Sequence, residues 1–286
     1  MKREYPIELK MLKYQPKLNT TLNRYMTIDQ LLDFLVNKHI PLIRLDLFED
    51  KLEGTKIEHI VLNNESEKMA SNLFSEFDRD FLNININPIN RNKIRDEREI
   101  FQKTNFASCW YCSEYESVAM WNLYSHPNSV AVRVNYNALI RSLESGKINL
   151  SYPSKNGLKI GRVKYTVFRK ADNNSPLDKD EFTPGFIKDE SFSHENEFRL
   201  ILEIEKISER NSIGAENLIK ENLINWDNVH DLKAIFIQFA KIEEIPFEII
   251  FHPRSNVWHQ SNIKYILNNN NLNIATYKSN LCDILN

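Results

Sequence analysis

Two glutamates and an arginine stand at alternate positions in the segment His194–Glu205, which reads HENEFRLILEIE. In an extended strand alternate side chains share a face, so Glu195, Glu197 and Arg199 would form one polar row. The opposite face would carry an apolar row for a core: Phe198, Leu200, Leu202 and Ile204. Such a polar row is commonly a solvated ladder that adds little stability, and spacing alone favours that interpretation. The functional alternative is a catalytic glutamate held beside an arginine.

Cys109 and Cys112 form a C-x-x-C pair. A zinc site needs a second pair of ligands, and the sequence has neither another C-x-x-C nor an H-E-x-x-H motif. Within a strand the two cysteines would face opposite ways. We therefore interpret both as structural residues and expect no metal cofactor.

Aromatic residues gather around the helix predicted after this pair. Trp110 stands in the preceding strand, and Trp121 and Tyr124 are three positions apart on the helix. Met120 and Leu123 are expected to pack in the core. For Trp121 and Tyr124 the pattern leaves two options open, because these side chains suit both a core and a stacking wall for a ring ligand.

A second polar group, His252, Arg254 and Ser255, comes just before another predicted helix. Arginine beside free helix amides can bind an anion. Ser255 as an ordinary N-cap explains part of the same pattern.

The composition excludes several classes of function. The chain of 286 residues has a formal net charge of -2, which gives no electrostatic footprint for duplex nucleic acid. Six glycines form neither G-x-G-x-x-G nor a P-loop, so a nucleotide would have to be held without a glycine-rich cradle. Three cysteines and the lack of an apolar N-terminal segment or spanning run predict a soluble cytoplasmic protein with no membrane partner.

Periodicity predicts one α+β domain over residues 1–286, with a curved or split mixed β-sheet, flanking helices and a helical insertion at about 57–103. Thr27 and Gln30 fit a capping box for the first helix, and Ser113 and Glu116 fit another that would open a helix through Tyr124. Later elements are a helix near 215–225, strands near 234–238 and 247–251, and a helix from Val257.

Several motifs together resemble a bacterial family named domain of unknown function 2971. The segments that carry the resemblance are FEDKLEG, SCWYCSEYESVAMWNLYS, HENEFRL, LKAIFI and the late S-x-L at Ser279–Leu281. The resemblance covers roughly residues 12–281. It implies no activity, because the family is defined without one.

The order of elements is also similar to that of ADP-ribosyltransferase folds, which bind NAD without a glycine-rich loop. This resemblance implies NAD as co-substrate, with Glu197 as the catalytic carboxylate beside Glu195. It also implies a macromolecular acceptor, protein or nucleic acid, and a bacterial toxin or phage-defence effector. Residues implied to bind the cofactor are Tyr14, Ser108, Trp110, Trp121, Tyr124, Arg199 and Arg254. Ser108 would support the ribose, and Tyr124 or Trp121 would stack on nicotinamide.

Two alternatives from other classes stay open. One is a sensor module that holds a nucleotide or anion without turnover through Trp121, Tyr124, Arg199 and Arg254. The other is a metal-dependent nuclease with Glu53, Glu195 and Glu197 as carboxylate ligands.

Overall fold

A mixed sheet of ten strands forms the centre of the protein. The computed structural model describes residues 8–64, 88–145, 154–171, 183–204, 232–239 and 242–282. The strands of this sheet are β1 (Leu9–Met11), β2 (Thr21–Met26), β3 (His39–Arg44), β4 (Asn105–Cys112), β5 (Val130–Asn135), β6 (Ser154–Arg162), β9 (Glu197–Ile204), β10 (Ala234–Gln238), β11 (Glu248–Phe251) and β12 (Ala275–Lys278). β7 (Lys164–Thr166) and β8 (Ile187–Asp189) pair separately in parallel.

The sheet divides at β4. Its main order is β1-β6-β9-β4-β2-β5-β11-β12, with parallel pairing at the two ends, β1 with β6 and β11 with β12. On the edge away from β9, the last residues of β4 pair with β2 and its early residues pair with β3, which continues to β10. The prediction of a mixed, split sheet with flanking helices is confirmed, whereas its likeness to ADP-ribosyltransferases stays a prediction.

Helices flank the sheet at five labelled positions: α1 (Ile28–Asn37), α2 (Pro88–Thr104), α3 (Val118–Tyr124), α4 (Tyr136–Ser145) and α5 (Val257–Asn269); residues 57–64 are also helical. The capping box of α1 is present, since Thr27 Oγ1 accepts from the Gln30 amide and Gln30 Oε1 accepts from the Thr27 amide. No helix in the described ranges is both long and apolar enough to cross a membrane. The helix predicted near 215–225 lies outside the described residues.

Two predicted caps are wrong by a few residues. Helix α3 is capped by Ser117, whose side chain accepts from the Met120 amide, whereas Ser113 accepts from the Tyr115 amide within a turn. Helix α5 is capped by Asn256 rather than Ser255. In both places two polar residues compete near the helix start, and only backbone geometry selects one.

The two faces of β9 serve different purposes. Phe198, Leu200, Leu202 and Ile204 belong to the largest core cluster, together with buried side chains of α1, α4 and α5, as their alternation predicts. The other face packs Ile201 against Leu45, Ala107 and Phe186, and it also carries Glu197 and Arg199. Glu197 and Arg199 therefore lie on the opposite face of the sheet from the largest core cluster.

Candidate functional site

Arg199 is the centre of a buried ionic network. Its side chain is fully buried, and it contacts both oxygens of Glu53, with Nη1 to Oε1 at 2.5 Å and Nη2 to Oε2 at 3.0 Å. Its Nε donates to Glu197 Oε2 at 2.5 Å and its Nη1 also donates to the Gly185 carbonyl at 2.6 Å. A planar, forked guanidinium can hold both oxygens of Glu53 and one oxygen of Glu197 in fixed directions, a geometry that a lysine ammonium lacks.

Glu53 reaches this arginine from the FEDKLEG loop. Asp50 shapes the turn, because its side chain accepts from the Leu52 amide at 2.8 Å and its carbonyl from the Glu53 amide at 3.2 Å. Gly54 follows with φ +74°, a backbone conformation that side chains other than glycine rarely adopt. A Cβ there would also lie 2.4 Å from Phe101 Cδ1. The loop therefore directs the Glu53 side chain inward, where it is fully buried.

Glu197 is held as a buried anion. Lys188 Nζ donates to its Oε1 at 3.0 Å while Arg199 holds its Oε2. Burial alone would raise the pKa of Glu197, but Arg199 and Lys188 outweigh it and hold that pKa well below its usual range. The Glu197 amide also donates to the Tyr165 hydroxyl at 2.9 Å. Tyr165 and Lys188 are register partners on β7 and β8. This two-stranded sheet therefore positions both side chains beside the start of β9.

Glu195 lies just outside the strand, contrary to the extended row that its spacing predicts. It ends the short 3-10 helix Glu190–Glu195, and Asn196 follows with φ 40° before β9 begins. Glu195 accepts from the Tyr124 hydroxyl at 2.5 Å and also from Lys188 Nζ. Burial, together with a hydrogen bond and repulsion from Glu197, raises the pKa of Glu195 to about 7. The pKa of Glu195 is therefore raised, whereas the pKa of its neighbour Glu197 is lowered.

The charges explain this difference. Three carboxylates, on Glu53, Glu195 and Glu197, face two cations, on Lys188 and Arg199. If all five groups were ionised, one buried negative charge would be left over, and retaining a proton on one carboxyl removes it. Burial also raises the pKa of Glu53, against the pull of Arg199. Glu195 is the carboxyl without an arginine partner, and its pKa of about 7 lets it hold the proton up to neutral pH.

Tyr124 links this network to the surface. Its side chain is 47% exposed, whereas the glutamates and Lys188 are buried. Burial and the hydrogen bond to Glu195 raise the pKa of the Tyr124 hydroxyl, so it stays a neutral donor. Of the residues assigned to one site from sequence, the structure thus brings together Tyr124, Glu195, Glu197 and Arg199.

Ser108 does not join them. It pairs with Leu200 in the β4–β9 register, so its side chain shares the core face of the sheet, while Cys109 pairs with Arg199 on the other face. Its hydroxyl oxygen instead accepts from Arg24 and from Trp110 Nε1. The expectation that Ser108 and Glu197 converge is wrong, because strand alternation places them on opposite faces.

The two tryptophans assigned to the site are core residues. Trp110 and Trp121 are each only 1% exposed. Trp121 packs edge-on against Tyr25, with ring centroids 4.7 Å apart, and its Nε1 donates to Glu116 at 3.0 Å. Of the two aromatic residues proposed to stack on a ring ligand, only Tyr124 is exposed enough to do so. Leu123, expected in the core, is 58% exposed.

Among the described residues, neither Tyr14 nor Arg254 has a hydrogen bond or ion pair with these carboxylates. Tyr14 follows β1, where its carbonyl accepts from the Arg162 amide and its ring lies 5.4 Å from Lys164 Nζ. Arg254 is exposed after β11, which β4, β2 and β5 separate from β9. Its amide donates to His252 Nδ1 within a turn.

The carboxylates do not form a metal-ligand cluster. Within the described ranges, no three His, Cys, Asp or Glu side chains are arranged to hold a metal ion. Arg199 and Lys188 already occupy the carboxylate oxygens, so a metal would have to displace these cations. Burial, with Glu197 beside it, raises the pKa of the Cys109 thiol, which argues against a thiolate ligand or nucleophile there.

Sequence reasoning missed Lys188. Lys188 stands in the segment GFIKDE, where a lysine follows two apolar residues, and this is a weak signal for burial. The surplus of acidic residues in HENEFRLILEIE was a better signal, since buried carboxylates require cations. Comparison with protein-family models, curated proteins and solved structures finds no match to this chain.

Proposed function

We propose that this protein is an enzyme that breaks a glycosidic bond, with Glu195 as the group that transfers the proton and NAD as the first co-substrate to test. The supporting observation is the pair of hydrogen-bonded glutamates with opposed pKa shifts, connected to the surface through Tyr124. Carboxyl pairs whose surroundings separate their pKa values are typical of acid–base sites. A pKa near 7 lets Glu195 both accept and release a proton at neutral pH.

The chemistry with NAD would proceed at the ribose carbon bonded to nicotinamide. That C–N bond breaks, its electron pair leaves with nicotinamide, and positive charge develops on the sugar. Glu197, kept ionised by Arg199 and Lys188, would supply fixed negative charge toward that cation. The acceptor oxygen, from water, protein or nucleic acid, then bonds to the carbon and gives its proton to the Glu195 carboxylate. The exposed ring of Tyr124 offers a stacking surface for nicotinamide.

The proposal departs from the arrangement that the ADP-ribosyltransferase resemblance implies. Ser108 has no part in it, because that side chain is on the other face of the sheet. Trp110 and Trp121 have none either, since both are buried. Glu195 takes the proton-transfer role, and Glu197 the electrostatic one.

Contacts between distant motifs support the proposed relation to domain of unknown function 2971. Glu53 of FEDKLEG binds Arg199 of HENEFRL. Glu116 accepts from the Ser279 hydroxyl at 2.6 Å and from the Asn280 amide at 2.8 Å, so SCWYCSEYESVAMWNLYS meets the late S-x-L segment. We extend the proposal to a cytoplasmic toxin or defence effector, a setting that suits three free thiols.

The test is incubation with labelled NAD while nicotinamide release and label transfer are measured. We expect Glu195→Gln to lower turnover by roughly 100-fold or more, because it removes the base but keeps the shape. The wild-type rate should rise with pH through about 7, as Glu195 ionises. Glu203→Gln, on β9 and paired with Lys159, is the matched control and should retain activity. No release of nicotinamide by the wild type, or equal rates in both variants, would refute the proposal.

A non-catalytic sensor is the second candidate, because all four oxygens of Glu53 and Glu197 are already bonded inside the network. A nucleotide-dependent rise in melting temperature with no product would favour it. Loss of nucleic-acid cleavage on chelation would instead favour the metal-dependent nuclease.

A further inference from the structure

A single residue, Asn196, separates the two glutamates of the candidate site, and its backbone is left-handed. Its φ and ψ are 40° and 54°, a conformation that asparagine adopts more readily than most residues with a side chain. Its amide donates to the Ser193 carbonyl at 3.2 Å, which closes the short 3-10 helix. Its carbonyl accepts from the Cys112 amide at 2.9 Å, next to the first residue pair of β9 and β4. The change from helix to strand is therefore made at this one position.

The side chain of Asn196 joins the two strands that flank β9. Its Oδ1 accepts from Arg162 Nη2 at the end of β6, and its Nδ2 donates to the Cys112 carbonyl at the end of β4. Because β6 and β4 lie on opposite sides of β9, these two bonds hold the start of β9 from both edges. All four polar groups of Asn196, two on the backbone and two on the side chain, are thus bonded within the protein.

The left-handed turn decides where the Glu195 side chain lies. The β4–β9 register pairs Tyr111 with Glu197, so an extended chain would bring Glu195 opposite Ser113, just past the end of β4. With Asn196 left-handed, the chain before β9 is a 3-10 helix instead, and Glu195 is its last residue. The Glu195 side chain is buried in that position.

The contacts of Glu195 depend on this placement. Its carboxyl accepts from the Tyr124 hydroxyl at 2.5 Å and from Lys188 Nζ, and the same Nζ also contacts Glu197. One ammonium therefore links the two carboxyls on either side of Asn196. Burial raises the pKa of Glu195, and a hydrogen bond and repulsion from Glu197 raise it further. The contribution from Glu197 lasts only while the two carboxyls are adjacent.

We propose that Asn196 is a positioning residue for the candidate site, whose left-handed backbone and doubly bonded side chain hold the Glu195 carboxyl beside Glu197 and Lys188. In this role Asn196 acts only through the two glutamates. Its effect on activity rests on the proposed function, whereas its effect on the ionisation of Glu195 does not. An asparagine that served only to end the 3-10 helix would affect stability alone.

The test measures the ionisation midpoint of Glu195 by carboxyl carbon-13 NMR, with the signal assigned from its absence in Glu195→Gln. Asn196→Ala removes both side-chain bonds and disfavours the left-handed backbone. We expect the midpoint to fall from about 7 by roughly one pH unit or more, because Glu195 loses its carboxyl neighbour. Asn196→Gly regains the left-handed backbone without the side chain, so its midpoint should lie between those of Asn196→Ala and the wild type.

Asn271 supplies the matched control, because it is also a left-handed asparagine, with φ 52°, in the turn after α5. Asn271→Ala should lower the melting temperature but leave the Glu195 midpoint at its wild-type value. The proposal is overturned if Asn196→Ala behaves in the same way, with lower stability and an unchanged midpoint. If Asn196→Ala does not fold, Asn196→Gly decides the matter, and an unchanged midpoint in that variant overturns the proposal equally.

Nicotinamide release separates this inference from the proposed function. In an active wild type, the pH midpoint of the rate should fall in Asn196→Ala together with the Glu195 midpoint, and a rate midpoint that stays in place would contradict the positioning role. If the wild type releases no nicotinamide, the proposed function fails, whereas the NMR titration still confirms or overturns the role of Asn196.

Discussion

Replacing Arg199 with methionine tests the ionic network most directly. Methionine keeps much of the side-chain length, so the main effect is electrostatic rather than a large cavity. Glu53 and Glu197 would lose their shared cation while remaining buried, and the Gly185 carbonyl would lose a donor. Breaking a buried ion pair from one side costs about 3–5 kcal/mol. Native stabilities are about 5–15 kcal/mol, so we expect a variant that is folded but strongly destabilised.

The assay is urea unfolding at pH 7, with the midpoint and slope fitted for each variant. Lys159→Met is the matched control, since the Lys159–Glu203 pair joins β6 to β9 but is partly exposed, and about 1 kcal/mol or less should be lost. Adding Glu53→Gln to Arg199→Met should recover part of the loss, because it removes one of the two stranded charges. If Arg199→Met costs no more than the control, the network does not stabilise the fold as described.

Two further predictions concern the carboxyl that retains its proton and the glycine behind Glu53. Because the pKa of Glu195 is raised to about 7 in the folded state, its contribution to stability is complete below pH 4.5 and is lost as pH rises through about 7. The free energy of unfolding of Glu195→Gln should therefore lack that decline, as measured by urea unfolding from pH 5 to 8, and parallel curves would contradict the pKa. Gly54→Ala should cost at least about 1 kcal/mol, because φ is +74° and the new Cβ would meet Phe101; an unchanged melting temperature would show that the loop relaxes freely.

Periodic patterns in the sequence predicted the main elements well. The apolar row of β9 was predicted from alternation, and it lies in the core. The strand Ala234–Gln238 has the predicted bounds, and the capping box of α1 forms. These features depend on residues close in sequence, whose side-chain directions follow from one local conformation.

The geometry of the site could not be predicted from residue spacing, because it depends on which strands pair and in which register. Whether Ser108 and Glu197 share a face depends on the register between β4 and β9, and Ser108 pairs with Leu200. Lys188 reaches the glutamates only because β8 pairs with β7, a contact that leaves no periodic trace. The match between Glu53 and Arg199 spans 146 residues.

The different roles proposed for Glu195 and Glu197 follow from their hydrogen-bond and ion-pair partners. Glu197 has both oxygens bonded to cations, so accepting a proton would cost it two ion pairs. Glu195 has only Lys188 as a cation partner and otherwise meets Glu197 and the neutral Tyr124 hydroxyl, so its proton can leave or return near neutral pH. Variants of Arg199 should therefore change stability more than the pH midpoint of activity. Tyr124→Phe, which removes a donor that favours the ionised form of Glu195, should instead raise that midpoint while the fold persists.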